Sequence, residues 1–177
     1  RAGFEFTKHP ADIDETEHPG EHARDLVIRL AIEKAQAVAD QYPDSLVIGS
    51  DQVAEFNGEI LGKPHGFEKG MEHLMSFSGQ SVEFINGLCL INTQTGDIQT
   101  KLNIITTTFR PYSEEMAANY LRAYEPYECA GSLKVEGPGI RLIESIDSKD
   151  PNALEGLCVI DLISMLEKEG VKLSDFK

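Results

Sequence analysis

Asn57-Gly58 lies between Val53-Ala54-Glu55-Phe56 and Glu59-Ile60-Leu61-Gly62, and it is the strongest local constraint in the chain. A two-residue hairpin turn needs positive φ at both central positions, which asparagine and glycine tolerate best. The spacing therefore predicts an antiparallel hairpin in which Phe56 faces Glu59 and Gln52 faces Lys63. Upstream, Leu46-Val47-Ile48 is a short apolar run that reads as a strand buried on both faces. The hairpin then returns Lys63 to the end of the strand that delivers Asp51. A carboxylate at the carboxyl end of a buried strand sits where open α/β sheets place ligands. Side chains alternate along a strand, so the strand end must bend if Asp51 and Lys63 share a pocket. The alternative is a surface ion pair at a hairpin base, worth ~0–1 kcal/mol.

The rest of the chain intermixes helices and strands. Residues 21–42 read as a long helix, with Ala23, Leu26, Val27, Leu30, Ala31, Ala35, Val38 and Ala39 at helical spacing and Pro43-Asp44 ending it. A second helix spans about Phe67 to Phe77, with Met71, Leu74 and Met75 inward. Strands follow at about 81–92 and 98–109, separated by a Thr95-Gly96-Asp97 turn. Ser113 reads as the N-cap of a helix to about Tyr124, with Glu114 and Glu115 near its positive end. A glycine-rich loop, Ala130-Gly131-Ser132-Leu133-Lys134-Val135-Glu136-Gly137-Pro138-Gly139, leads to a strand from Ile140 to Ile146. A last helix runs from about Val159 to Glu169 and stops at Gly170. This pattern is α/β with a mixed sheet.

Composition excludes several classes. The 177 residues suit one domain or two small lobes, and 41% hydrophobic content allows a core. No apolar run is long enough to span a membrane, and the opening residues do not read as a signal peptide. The net charge of −14 opposes a general nucleic-acid surface. A small anionic ligand stays open if lysines converge locally. Cys89, Cys129 and Cys158 show no CxxC spacing, which argues against zinc and a disulfide framework and fits a reducing cytoplasm. The five histidines (His9, His18, His22, His65, His73) show no metal-ligand pairing, and no Ser/His/Asp order is readable.

Lys34 continues the apolar stripe of the first helix, four residues after Leu30 and three after Ala31. An inward ammonium needs an anion, unless its stem is buried and its head snorkels to water. Ile13-Asp14-Glu15-Thr16 sets adjacent carboxylates in a loop. With Asp51 they could hold Mg²⁺, which takes one or two carboxylates plus phosphates and water. The alternative is a solvated acidic loop. Together these residues suggest metal-assisted attack of water on phosphorus. Asp51 would activate the water, while Lys34 and Lys63 would face the same anion-sized hollow.

Ile13-Asp14-Glu15, Arg29-Leu30-Ala31-Ile32-Glu33-Lys34-Ala35, Ile48-Gly49-Ser50-Asp51-Gln52-Val53, Gly62-Lys63-Pro64, Leu74 to Ser78-Gly79, Ala130-Gly131-Ser132 and Asn152 to Gly156-Leu157 occur in that order. As an ordered set covering nearly the whole chain, they resemble the Maf family of nucleoside triphosphate pyrophosphatases. The resemblance implies an elongated, twisted mixed sheet flanked by helices, with two lobes around a central cleft. It implies hydrolysis of a nucleoside triphosphate to monophosphate and pyrophosphate, with Mg²⁺ or Mn²⁺, in the cytoplasm, against non-standard nucleotides. It carries Asp51 over as proton acceptor, Lys34 and Lys63 as phosphate contacts, and Glu15 with Asp51 as metal ligands. Gln52 and Glu136 match base-selecting positions. Ser50-Asp51-Gln52 with Cys129 to Gly137 looks like the branch acting on 7-methyl-GTP. A homodimer is compatible with the family. The rival reading is a non-catalytic nucleotide-binding regulator of cell division. Two departures stand out. Against the family pattern, residues 1–177 read as one Maf-like domain lacking an N-terminal strand and a Ser/Pro/Arg-rich phosphate loop. The usual Gly-Leu-Pro is Gly156-Leu157-Cys158 here.

Overall fold

A computed structural model describes residues 5–150, 152–172 and 174. The reading of the first residues as no signal peptide falls partly on residues 1–4, outside the described ones. Helices and strands are both present, as the α/β reading expects. The helices are α1 (Ala23–Ala39), α2 (Phe67–Phe77), α3 (Glu114–Tyr124) and α4 (Val159–Lys168). The strands are β1 (Leu46–Phe56), β2 (Glu59–Leu61), β3 (Ser81–Asn92), β4 (Ile98–Phe109) and β5 (Ile143–Asp147), in the sheet order β2-β1-β3-β4-β5. Among the described residues no helix is long and apolar enough to cross a membrane.

The chain divides into two compact units. The first comprises Arg1–Asp51, Asn86–Asn103 and Gly156–Lys177. Here α1 buries Ala23, Leu26, Val27, Leu30, Ala31, Ala35 and Val38, the stripe expected from helical spacing. The helix ends at Ala39, earlier than the expected 42. Tyr42 instead turns to pack with Ala31, Ala35, Val38, Val47, Cys89 and Ile91, and its carbonyl accepts from Thr93 Oγ1 at 2.8 Å. Burial pushes the Cys89 thiol up to about 11, so it is an apolar filler.

Two glycines let α1 lie directly on the strands. A Cβ at Gly49 of β1 would stand 2.1 Å from the Ala31 carbonyl oxygen, and one at Gly87 of β3 would stand 2.2 Å from that of Val27. Any side chain at either point must push the helix away. We expect Gly49→Ala to cost about 2 kcal/mol, read as a lowered urea midpoint with unchanged slope. A wild-type midpoint would refute the close approach.

β1 is longer than the apolar run suggested, and it alternates. Val47, Gly49, Asp51 and Val53 are buried, whereas Ile48 is 40% exposed, so the strand is not buried on both faces. Asp51 therefore sits mid-strand rather than at a strand end.

The second unit comprises Gln52–Ile85 and Ile104–Glu155. Asn57 and Gly58 have φ of 53° and 81°, the values a type I′ turn requires. The register is Phe56↔Glu59, Glu55↔Ile60 and Ala54↔Leu61. The ladder stops there, so Gln52 and Lys63 do not pair as expected. After Leu61 the backbone turns to a different partner. The Gly62 carbonyl accepts from the Gly131 amide (3.3 Å), and the His65 amide donates to the Tyr127 carbonyl (3.1 Å).

In α2 the buried residues are Gly70, His73, Leu74 and Phe77, while Met75 is 39% exposed. The inward face is rotated from the expected one because Gly70 packs against Leu121 of α3, where a Cβ would lie 3.1 Å from Leu121 Cδ2. Ser113 caps α3 as read: its Oγ accepts from the Met116 amide at 3.2 Å. The strand expected from Ile140 begins only at Ile143. Pro138 opens a 3-10 turn to Leu142, which is held when the Arg110 amide donates to the Leu142 carbonyl at 2.8 Å.

Candidate active site

In the first unit, Lys34 resolves the question its position raises. Its Nζ donates to Asp51 Oδ1 at 2.7 Å and lies 3.1 Å from Glu15 Oε1. The geometry follows from the packing beneath it. Gly49 brings β1 against Ala31 and Ala35; Asp51 follows Gly49 on the same strand face, and Lys34 follows Ala31 by one helical turn. Asp51 is 8% exposed, Lys34 19% and Glu15 42%. Burial alone would lower the Lys34 ammonium, but the Asp51 and Glu15 carboxylates outweigh it and hold it above its ordinary value. Lys34 is thus a fixed cation. Asp51 Oδ2 is buried and has no hydrogen-bond partner among the described residues.

The two carboxylates of the acidic loop diverge. Asp14 Oδ1 accepts from the Thr16 amide (3.0 Å) and hydroxyl (2.6 Å), so Asp14 shapes its own loop, and only Glu15 reaches Lys34. The loop is tied to α1 by a residue to which the sequence reading assigned no role. Arg29 donates to Glu21 through Nε and Nη2 (both 2.7 Å), to Glu33 through Nη1 (3.1 Å) and to the Thr16 carbonyl through Nη2 (3.1 Å). The legible signal was Arg29 with Glu33 four residues on; the Glu21 contact needs the loop's return.

Arg29's guanidinium, with help from the His18 amide, holds the Glu21 carboxyl down to about 2 from an ordinary 4.5. A carboxyl depressed by folding contributes stability above pH 4.5, and that contribution is lost as pH falls from 4.5 to about 2. Arg29→Met should flatten the pH dependence of the unfolding midpoint in that window. A slope equal to wild type's would refute the coupling.

The other residues singled out in the sequence belong to the second unit. Gln52 Nε2 donates to the Ala153 carbonyl at 3.2 Å. Lys63 is exposed just beyond β2, and Glu136 is exposed in the turn after Lys134. Both bear on the Cys129 thiol, which burial raises first, Glu136 raises further and Lys63 lowers. Cys89 and Cys129 are free thiols.

A divalent cation must be judged on these oxygens. Among the described residues no group of three or more His, Cys, Asp or Glu is assembled for one. Mg²⁺ needs no such cage, since it is commonly held by one or two carboxylates with substrate phosphates and water. The Glu15 and Asp51 carboxylates, gathered on the same lysine, fit that donor set.

The family model described as Maf-like protein matches residues 1–169. The chain belongs to the Maf family. It is 48% identical over 173 residues to a 7-methyl-GTP pyrophosphatase of Pseudomonas savastanoi pv. phaseolicola, covering 98% of this chain and 90% of that one. It is 46% identical to a protein of the same description from Nitrosococcus oceani over 170 residues, covering 96% and 85%. A third such protein, from Colwellia psychrerythraea, is 45% identical over 160 residues, covering 90% and 80%.

Proposed function

We propose that this Maf-family chain hydrolyses a nucleoside triphosphate, with 7-methyl-GTP preferred, to the monophosphate and pyrophosphate. The observation that carries the chemistry is the Asp51 carboxylate: one oxygen is held by Lys34 at 2.7 Å, and the other is buried and free to take a proton. In the reaction a water oxygen attacks phosphorus and the α–β anhydride bond breaks. The water's proton goes to Asp51 Oδ2, and pyrophosphate leaves with the bonding pair. Lys34 keeps the carboxylate oriented and supplies positive charge against the phosphates. Lys63 is the second phosphate contact, a role resting on the family resemblance.

Glu15 and Asp51 would hold a Mg²⁺ or Mn²⁺ ion, whose chemistry when bound is to neutralise and polarise phosphate oxygens. Gln52 and Glu136 select the base. An exposed carboxylate such as Glu136 can accept from a guanine N1–H and its amino group, and a cationic methylated base favours a negative neighbour.

The test is release of monophosphate and pyrophosphate from 7-methyl-GTP, GTP, dTTP and UTP, with Mg²⁺ or Mn²⁺ added. The highest kcat/KM is expected for 7-methyl-GTP. Preference for dTTP or UTP would refute the choice of base. Tight binding with no turnover of any of the four would refute the hydrolase.

A further inference from the structure

We propose that Tyr120 is a positioning residue for substrate selection: its hydroxyl fixes the Lys134–Gly137 turn that presents Glu136. The proposal rests on the reading of Glu136 as a base contact. Tyr120 of α3 is buried, and its hydroxyl is used twice, donating to the Ser132 carbonyl at 3.0 Å and accepting from the Lys134 amide at 2.9 Å. The other side of the Lys134 residue is held as well. Its carbonyl accepts from the Gly137 amide (3.3 Å) and the Gly139 amide (3.2 Å). Glu136 therefore stands at the third position of a closed turn whose first residue is tied at both its amide and its carbonyl.

The backbone leading into this turn is a short 3-10 turn, closed where the Ser132 amide donates to the Cys129 carbonyl (3.0 Å) and the Leu133 amide to the Ala130 carbonyl (3.3 Å), and it runs through a strained stretch. Gly131 and Ser132 are both left-handed, with φ of 58° and 60°. That conformation is unfavourable for serine and persists only where surroundings impose it. A Cβ at Gly131 would lie 3.2–3.4 Å from Phe77, Ala54 and Phe84, so the segment is wedged on one side by packing. On the other side the Tyr120 hydroxyl adds the bonds that link Ser132 to Lys134. The carboxylate is near enough to be felt: burial pushes the Tyr120 phenol up to about 12, and Glu136 contributes to the rise.

Losing the hydroxyl would free the Lys134 amide and the Ser132 carbonyl and let Glu136 sample many orientations. Discrimination should fall while the reacting groups are untouched. The experiment compares wild type, Tyr120→Phe and Glu136→Gln with 7-methyl-GTP and GTP, following kcat and KM separately, and records melting temperatures. Tyr120→Phe should lower the ratio of kcat/KM for 7-methyl-GTP over GTP by roughly fivefold, the scale of one hydrogen bond. The loss should fall in KM, and kcat should stay at the wild-type value. Amide exchange at Lys134 and Gly137 should accelerate in the same variant. A lower kcat and a higher KM, by the same factors for both nucleotides, would mark a merely structural tyrosine and overturn the proposal. An unchanged ratio in Tyr120→Phe beside a changed ratio in Glu136→Gln would overturn Tyr120's role alone. An unchanged ratio in both would overturn the base-reading of Glu136 too.

If Tyr120→Phe does not fold, Gly139→Ala tests the same turn from its far side, where the new Cβ would crowd the Lys134 oxygen at 2.5 Å. It should lower the same ratio, and a wild-type ratio would overturn the proposal.

Discussion

Asp51→Asn should lower kcat by ~10²–10⁴-fold while leaving nucleotide binding near wild type. The amide keeps the shape of the side chain, and its oxygen can still accept from Lys34, whose Nζ lies 2.7 Å from Asp51 Oδ1 in the parent. What disappears is the ability to take a proton at the buried second oxygen. The defect must therefore lie in turnover and not in KM. Pre-steady-state product release, with nucleotide affinity measured on the same preparation, separates the two. A decrease of less than about tenfold would mean that this carboxylate is not the proton acceptor, since general-base groups typically contribute more.

Lys34→Met should be the most damaging single change to stability, because it leaves a carboxylate that is 8% exposed without its cation. Breaking a fully buried pair costs about 3–5 kcal/mol. Lys34 keeps 19% of its side chain exposed and Glu15 keeps 42%, so water can partly compensate. About 2–3 kcal/mol is the expected loss, which for a chain of this size lowers Tm by roughly 4–12 °C. Turnover should also drop, by ~10²-fold, since the phosphates lose a fixed positive charge. The double variant Lys34→Met/Asp51→Asn distinguishes the causes. Removing the stranded charge should restore more than half of the lost stability and none of the activity. If the single variant melts within a degree of wild type, the pair is only a surface contact.

The legible parts of the fold were those governed by local rules. The Asn57-Gly58 turn, the Ser113 cap and the stripe of α1 follow from φ preferences, orphan amides and helical period, all properties of short segments. Lys34 was also visible, because a cation in an apolar stripe requires a partner wherever the helix ends up. The face of α2 was misread because Met75 and His73 differ little in pattern. Gly70 against Leu121 decided which of them turned inward.

Residue identity and spacing by themselves determined the elements, the inward lysine and the membership implied by the ordered motifs. Which carboxylates answer Lys34 was decided only in three dimensions. Gly49 and Gly87 let a helix settle onto two strands with no side chain between, and that contact puts Asp51 within hydrogen-bond reach. Arg29's grip on Glu21, Glu33 and the Thr16 carbonyl likewise turns a sequence-distant acidic loop into a fixed one. Such long-range pairings depend on the closing of loops, whose ends meet through packing that no local propensity encodes.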